Sequence, residues 1–260
     1  MAQTYFWYFA LLGLFVPFLG LFLDGRNFDS RAIGEILAIA TATKIFGPAI
    51  WANLADKSGK QLGIVKTGGF LALVCFVLLF WTGSYWGVTV CLALNSLFWT
   101  AILPQLEVLT LKSVKYSPKI YSRIRLWGSI GFIVIAVSGS EIIVRSSSEA
   151  FVWIGCLLML FFWGSTYLLK QPRVTPLKNT IQARITPRLL TRAFVFFFLA
   201  GLMLQIGFGP YYAFFALHLK ALDYSGLAIG LFISIGVVAE ILIFIYAGKI
   251  FKHVSVKTAL

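Results

Sequence analysis

The feature that most constrains this chain is a succession of apolar segments, each long enough to cross a bilayer. A helical span needs about 20 residues at 1.5 Å per residue. Eight stretches qualify: Tyr5–Leu23, Ile33–Leu54, Gly63–Trp81, Trp86–Leu109, Leu126–Val144, Ala150–Leu169, Ala193–Leu217 and Gly226–Ala247. They are too long and too uniformly apolar for the alternating strands of a barrel. A helix satisfies its own backbone groups, which lipid cannot do. Composition agrees: 12% of the 260 residues are charged and 60% are apolar. That is more apolar surface than one soluble core can hide. The expected fold class is an all-α polytopic membrane protein.

The polar links between spans alternate in charge. Links two-three, four-five and six-seven, with the C-terminal tail, carry seventeen lysines and arginines; the opposite set carries Arg26, Arg31, Arg145 and Lys220. The positive-inside rule then places both termini in the cytoplasm of an inner or plasma membrane, as an even number of spans requires. The same alternation accounts for the net charge of +13, so no nucleic-acid partner is implied. The first apolar run lacks a basic leader and a small-residue cleavage site, and is expected to stay as a helix.

The longest polar link, Lys170–Arg192, contains Pro172, Pro176 and Pro187. It divides the chain into a six-helix bundle over 1–169, a cytoplasmic linker over 170–192 and two further helices over 193–260. Six helices followed by such a linker suggest one half of a two-half transporter with the second half begun. The expectation is a fragment or truncated product ending after the eighth helix.

Ionisable groups at membrane depth are costly and usually functional. Lys44 lies about 16 Å into span two at helical rise, near the midplane. There it either faces a cavity and meets an anion or a coupling carboxylate, or pairs structurally. Glu240 lies about 21 Å into span eight and is the matching acid. Glu107, near the end of span four, and Arg125, opening span five, are placed to bridge antiparallel neighbours. Span seven carries Gln205, Tyr211 and Tyr212 beside Gly207, Gly209 and Pro210. This is a site for a bend facing a cavity, or an interfacial aromatic belt. Glu35 and Glu141 lie close to the outer surface and carry little functional weight. Cys75, Cys91 and Cys156 lie inside apolar runs without metal-ligand spacing. The two histidines, His218 and His253, lie outside the spans. No convergent set of catalytic groups is visible, so no enzyme, cofactor or metal is expected.

At Leu54–Lys60 the sequence resembles the signature loop of the major facilitator superfamily. Asp56, Lys57, Gly59 and Lys60 hold the motif positions, with Ala52 where the family's opening glycine stands and Gln61 at its final basic position. The resemblance implies that this loop gates closure on the cytoplasmic side. Tyr121–Phe132 and Asp223–Glu240 resemble the phenylpropionate permease branch, a proton-coupled group close to the lactose permease and nucleoside symporters. On that resemblance Glu107 and Arg125 form a carboxylate–arginine pair, and Ser129 and Phe132 neighbour the substrate. Lys44 takes a position commonly held by arginine, and Glu240 that of the branch's own carboxylate. The resemblance implies a monomeric proton-coupled symporter in the lipid bilayer, moving a small organic solute by alternating access. An aromatic or other organic acid is the first expectation. A sugar or nucleoside, or a truncated protein that transports nothing, is the alternative.

Overall fold

The computed structural model describes residues 1–171 and 191–250. Nine α-helices succeed one another in these residues: α1 (Ala2–Gly25), α2 (Ser30–Ser58), α3 (Gln61–Val77), α4 (Tyr85–Trp99), α5 (Ile102–Ser113), α6 (Pro118–Arg145), α7 (Ala150–Thr166), α8 (Arg192–Ala221) and α9 (Gly226–Ile250). A 3-10 turn at Leu78–Phe80 extends α3. Six spans are long and apolar enough to cross a membrane, counting α3 with its turn and α4 with α5 as one span each; α7 and α9 add two shorter apolar stretches. The chain is therefore an all-α polytopic membrane bundle. Most of the expected linker, with four of its six cations, and the last ten residues of the chain lie outside the described residues.

Local chemistry sets the helix ends. Asp29, Ser84 and Thr191 each accept a backbone N–H in the first turn of α2, α4 and α8, at 2.8, 3.2 and 3.3 Å, satisfying donors that a helix start leaves open. Pro118 opens α6, where its missing N–H costs nothing. Gly59 closes α2 in the left-handed region, at φ 65°, a conformation that favours a residue without a side chain. Span four, expected as one helix over Trp86–Leu109, is interrupted at Thr100–Ala101 between α4 and α5. Pro104 explains the break, because it cannot donate to the carbonyl of Thr100 four residues back and its ring crowds that group.

Helix α1 is the hub and packs on α6, α7 and α8. Its Leu11, Leu14, Phe18, Leu21 and Phe22 are buried in the main core. Glycines let the backbones touch. A methyl on Gly13 would collide with the carbonyl of Phe132, and one on Gly131 with the carbonyl of Phe6. Such close approach is how helices associate where lipid offers no hydrophobic drive.

Arg26 ties one end of the bundle together. It binds both carboxylate oxygens of Glu149, at 2.7 and 2.9 Å, and the carbonyls of Thr82 and Leu79, at 2.6 and 2.9 Å. It also lies over the Phe22 ring. Asp24 meets Lys220 nearby, at 3.8 Å. The α1–α2, α3–α4, α6–α7 and α8–α9 links therefore share one end, the cation-poor one. At the other end Gln171 donates to the carbonyl of Gly59, at 2.6 Å.

The helices α8 and α9 meet the first seven through close backbone approaches that all lie toward the cation-poor end. A methyl on Gly20 would stand 2.5 Å from the carbonyl oxygen of Ala213, and one on Gly226 2.6 Å from that of Ser140; Gly230 lies against Ala136. Glu141 accepts the N–H of Leu227 in the first turn of α9, at 2.7 Å. Toward the cation-rich end the contact is lost. Gly201, Gly207, Gly209 and Gly236 have open space where a side chain would stand.

Candidate functional site

Between the two helix groups lies a cavity of about 990 Å³, walled by α1, α2, α4, α6, α8 and α9. Each wall contributes one face. Lys44 comes from α2, one turn beyond Ala40 and Thr41. Ser129, Phe132 and Arg125 come from α6, at spacings of three and four residues that keep them on one side. Helix α8 contributes Gln205, Tyr211 and Tyr212, and α9 contributes Glu240. Aromatic and aliphatic side chains dominate, with Phe9, Phe15, Trp99, Phe208 and Phe215 among them.

Eight of the expected site residues thus line one cavity, and Glu107 is not among them. Its carboxylate accepts the Tyr121 hydroxyl, at 3.3 Å. Arg125 instead lays its guanidinium on the Phe9 ring, 3.8 Å from the centroid. No Glu107–Arg125 ion pair forms among the described residues, which corrects the expected bridge. The cause is local. A side chain on Gly128 would collide with Phe9 and crowd the Arg125 guanidinium, so the glycine leaves room for the stack. Attraction between a cation and a ring face then holds it.

Lys44 has no ion-pair partner among the described residues, and neither do Arg125 and Glu240. The cavity lining therefore carries two cations and one carboxylate, a net positive charge. Helix α8 runs through Pro210 as one helix, so the expected bend is not a break in the span. Tyr211 and Tyr212 face the cavity. In the loop after α2, Gly59 supplies the turn, the Lys60 N–H donates to Ser58 Oγ at 3.3 Å, and Lys57 stands in the last helical turn. Asp56 makes no side-chain hydrogen bond or ion pair among the described residues.

Sequence reasoning missed Phe9, Asn95, Ser96 and Trp99 as cavity residues. It also missed Glu141 as the acceptor beneath α9. No His, Cys, Asp and Glu cluster suited to a metal occurs among the described residues.

A helical membrane bundle whose two groups close at one end over a mid-depth cavity is the architecture of a secondary transporter. The chain belongs to the MFS_1 like family, whose family model matches residues 1–260; it is a small-molecule transporter and not an enzyme. It is 28% identical to the "Probable 3-phenylpropionic acid transporter" of Escherichia coli (strain K12), over 100% of this chain and 69% of that protein. It is 30% identical to the "Maltose permease" of Geobacillus stearothermophilus over 135 residues, 52% of this chain and 34% of that one. Its fold matches the crystal structure of the nucleoside transporter NupG with a TM-score of 0.79 and 18% identity, across 99% of this chain and 68% of that one.

Proposed function

We propose that the cavity binds a small organic acid with an aromatic body, and that the protein carries it together with protons by alternating access. One observation bears most of this reading. Lys44 opens into a largely apolar cavity, with eight aromatic side chains on its wall and no carboxylate within ion-pair distance among the described residues. A cation held at membrane depth favours an arriving anion. The flat apolar wall suits a ring. Glu240 on the wall and Glu107 below it are the carboxylates available to take up a proton. The seventeen-to-four distribution of cations puts the cation-rich end in the cytoplasm, so the cavity opens inward.

The comparisons give a neutral solute more support than an acid. Relatives named for a sugar and for a nucleoside stand beside one named for an acid. The amide of Gln205 on the wall suits the polar groups of such solutes. Equilibrium binding to the purified full-length protein separates the two readings. Lys44→Met should weaken 3-phenylpropionate by about 1–3 kcal/mol, the range of a lost charge-assisted hydrogen bond. It should leave 3-phenylpropanamide nearly unchanged. Equal losses for both ligands, or binding of uridine or maltose in place of the acid, would turn the assignment to the neutral solute. Proton coupling is tested in vesicles. Uptake should stop when the proton gradient is collapsed; uptake that persists and follows a sodium gradient would reject the coupling.

A further inference from the structure

We propose that Phe9 is a positioning residue: its ring keeps the Arg125 guanidinium in the cavity and away from Glu107, so that the arginine meets the anionic group of the solute as a second cation besides Lys44. This rests on reading the cavity as an organic-acid site. An arginine is long and always charged, so one that stands near a carboxylate normally pairs with it. Glu107 and Arg125 are both within electrostatic reach of Tyr5, Tyr8 and Tyr121. Yet they form no ion pair among the described residues. Glu107 accepts the Tyr121 hydroxyl, at 3.3 Å, and Arg125 takes the face of Phe9, 3.8 Å from its centroid.

The sequence builds this stack from three sides. Phe9 lies seven residues after the start of α1 and Arg125 seven after the start of α6, and both helices run toward the cation-poor end. The two residues therefore stand at one level, roughly 10 Å from the cation-rich end. Gly128 follows Arg125 by three residues, on the same face. A methyl there would stand 2.5 Å from the Phe9 ring and 3.1 Å from a guanidinium nitrogen, so a larger residue would displace one of the pair. The ring itself is fixed. Tyr5, one turn earlier, lies parallel to it at 6.4 Å, and Tyr8 meets it edge-on at 5.2 Å; both tyrosines are buried.

The stack covers a face of the guanidinium and leaves its edge free. The N–H groups of arginine point outward in the plane of the group, so contact with a ring face uses none of its five donors. Arg125 is half-buried and makes no side-chain hydrogen bond among the described residues. None of its nitrogens is among the sealed polar atoms that lack a partner, so these donors are open. Arg125 and Phe9 both line the cavity. A planar fork with free donors matches the two oxygens of a carboxylate.

The test measures binding of 3-phenylpropionate and 3-phenylpropanamide to the full-length protein carrying mono-, di- or trifluorinated phenylalanine in place of Phe9. Fluorine draws charge from the ring face and changes its size little, so the attraction for a cation falls step by step. Acid affinity should fall with each step, reaching about three- to tenfold with the trifluorinated ring. The amide, which has no charge for Arg125 to meet, should lose less. Phe9→Leu should weaken the acid to a similar extent, and Phe9→Tyr, which keeps the ring face, should stay within about twofold. Glu107→Gln should restore more affinity to the Phe9→Leu protein than it adds to the unaltered one, because it removes the competing partner of the guanidinium. A purely structural role of Phe9 predicts no such rescue. Failure of the unaltered protein to bind the acid overturns the organic-acid reading and this inference with it. Acid binding that responds to Lys44→Met but stays constant along the fluorinated series, or falls there no more than amide binding does, overturns the role of Phe9 alone. If Phe9→Leu does not fold, the fluorinated series and Phe9→Tyr decide.

Discussion

The two ends of the bundle are built on different principles. At the cation-poor end glycines let backbones touch, and polar groups bridge separate helices: Gly20 on Ala213, Gly230 on Ala136, Glu141 on the first turn of α9, and Arg26 across three links. At the cation-rich end α8 and α9 stand away from the rest, and glycines there face open space. The cavity lies where the two regimes meet. A seal on one side and an opening on the other is one of the two states that alternating access needs. The closed end must therefore be strong enough to form and weak enough to part.

The largest effect is expected from filling a glycine in the seal. A leucine at Gly230 would collide with Ala136 and Ser140. Overpacking of this kind costs about 1–3 kcal/mol, and separation of the helices relieves it. In a protein lacking its native cysteines, a reporter Ser129→Cys in the cavity should then react roughly tenfold faster with an impermeant maleimide applied from the cation-poor side. An unchanged rate would mean that the glycine contact does not hold the seal. A smaller gain in the same assay is expected from Glu141→Ala. It removes the acceptor at Leu227 and the ion pair with Arg145, worth about 0.5–2 kcal/mol by analogy with lost helix caps. Smallest is Asp24→Asn. Its partner Lys220 is 3.8 Å away and both side chains are about half exposed, so solvent screening leaves less than about 0.5 kcal/mol. Equal opening by Asp24→Asn and Glu141→Ala would show that the charge at this end acts collectively.

The spans were legible because length and uninterrupted apolarity are local properties of the sequence. Lys44 and Glu240 were legible for the same reason, since a charge inside an apolar run stands out. Ser96, Trp99 and Phe9 were not. Serine, tryptophan and phenylalanine are common in every span, and only packing decides which of them face a cavity. The Glu107–Arg125 bridge was a reading of spacing between two adjacent spans. It did not form because a third helix places Phe9 under the guanidinium. Glu141 looked like a surface acid because its near partner in sequence, four residues on, is the exposed Arg145. Its second partner arrives 86 residues later, a separation no local pattern reports.

The central position of α1 also bears on how the molecule is made. Its neighbours α6, α7 and α8 begin at Pro118, Ala150 and Arg192. At ribosomal rates of about 5–20 residues per second, the first of them follows after roughly five to twenty seconds. For that interval the helix that will form the hub has only its lesser contacts with α2, α3 and α4, and lacks its main partners. No charged side chain occurs between Met1 and Leu23, so the wait exposes no ionised group to hydrocarbon. The polar groups that Thr4, Tyr5 and Tyr8 later bury lie in the segment's first turns, nearest to one membrane face. The apolar character of α1 is thus a condition of its turn in the order of synthesis as much as of its place in the finished bundle.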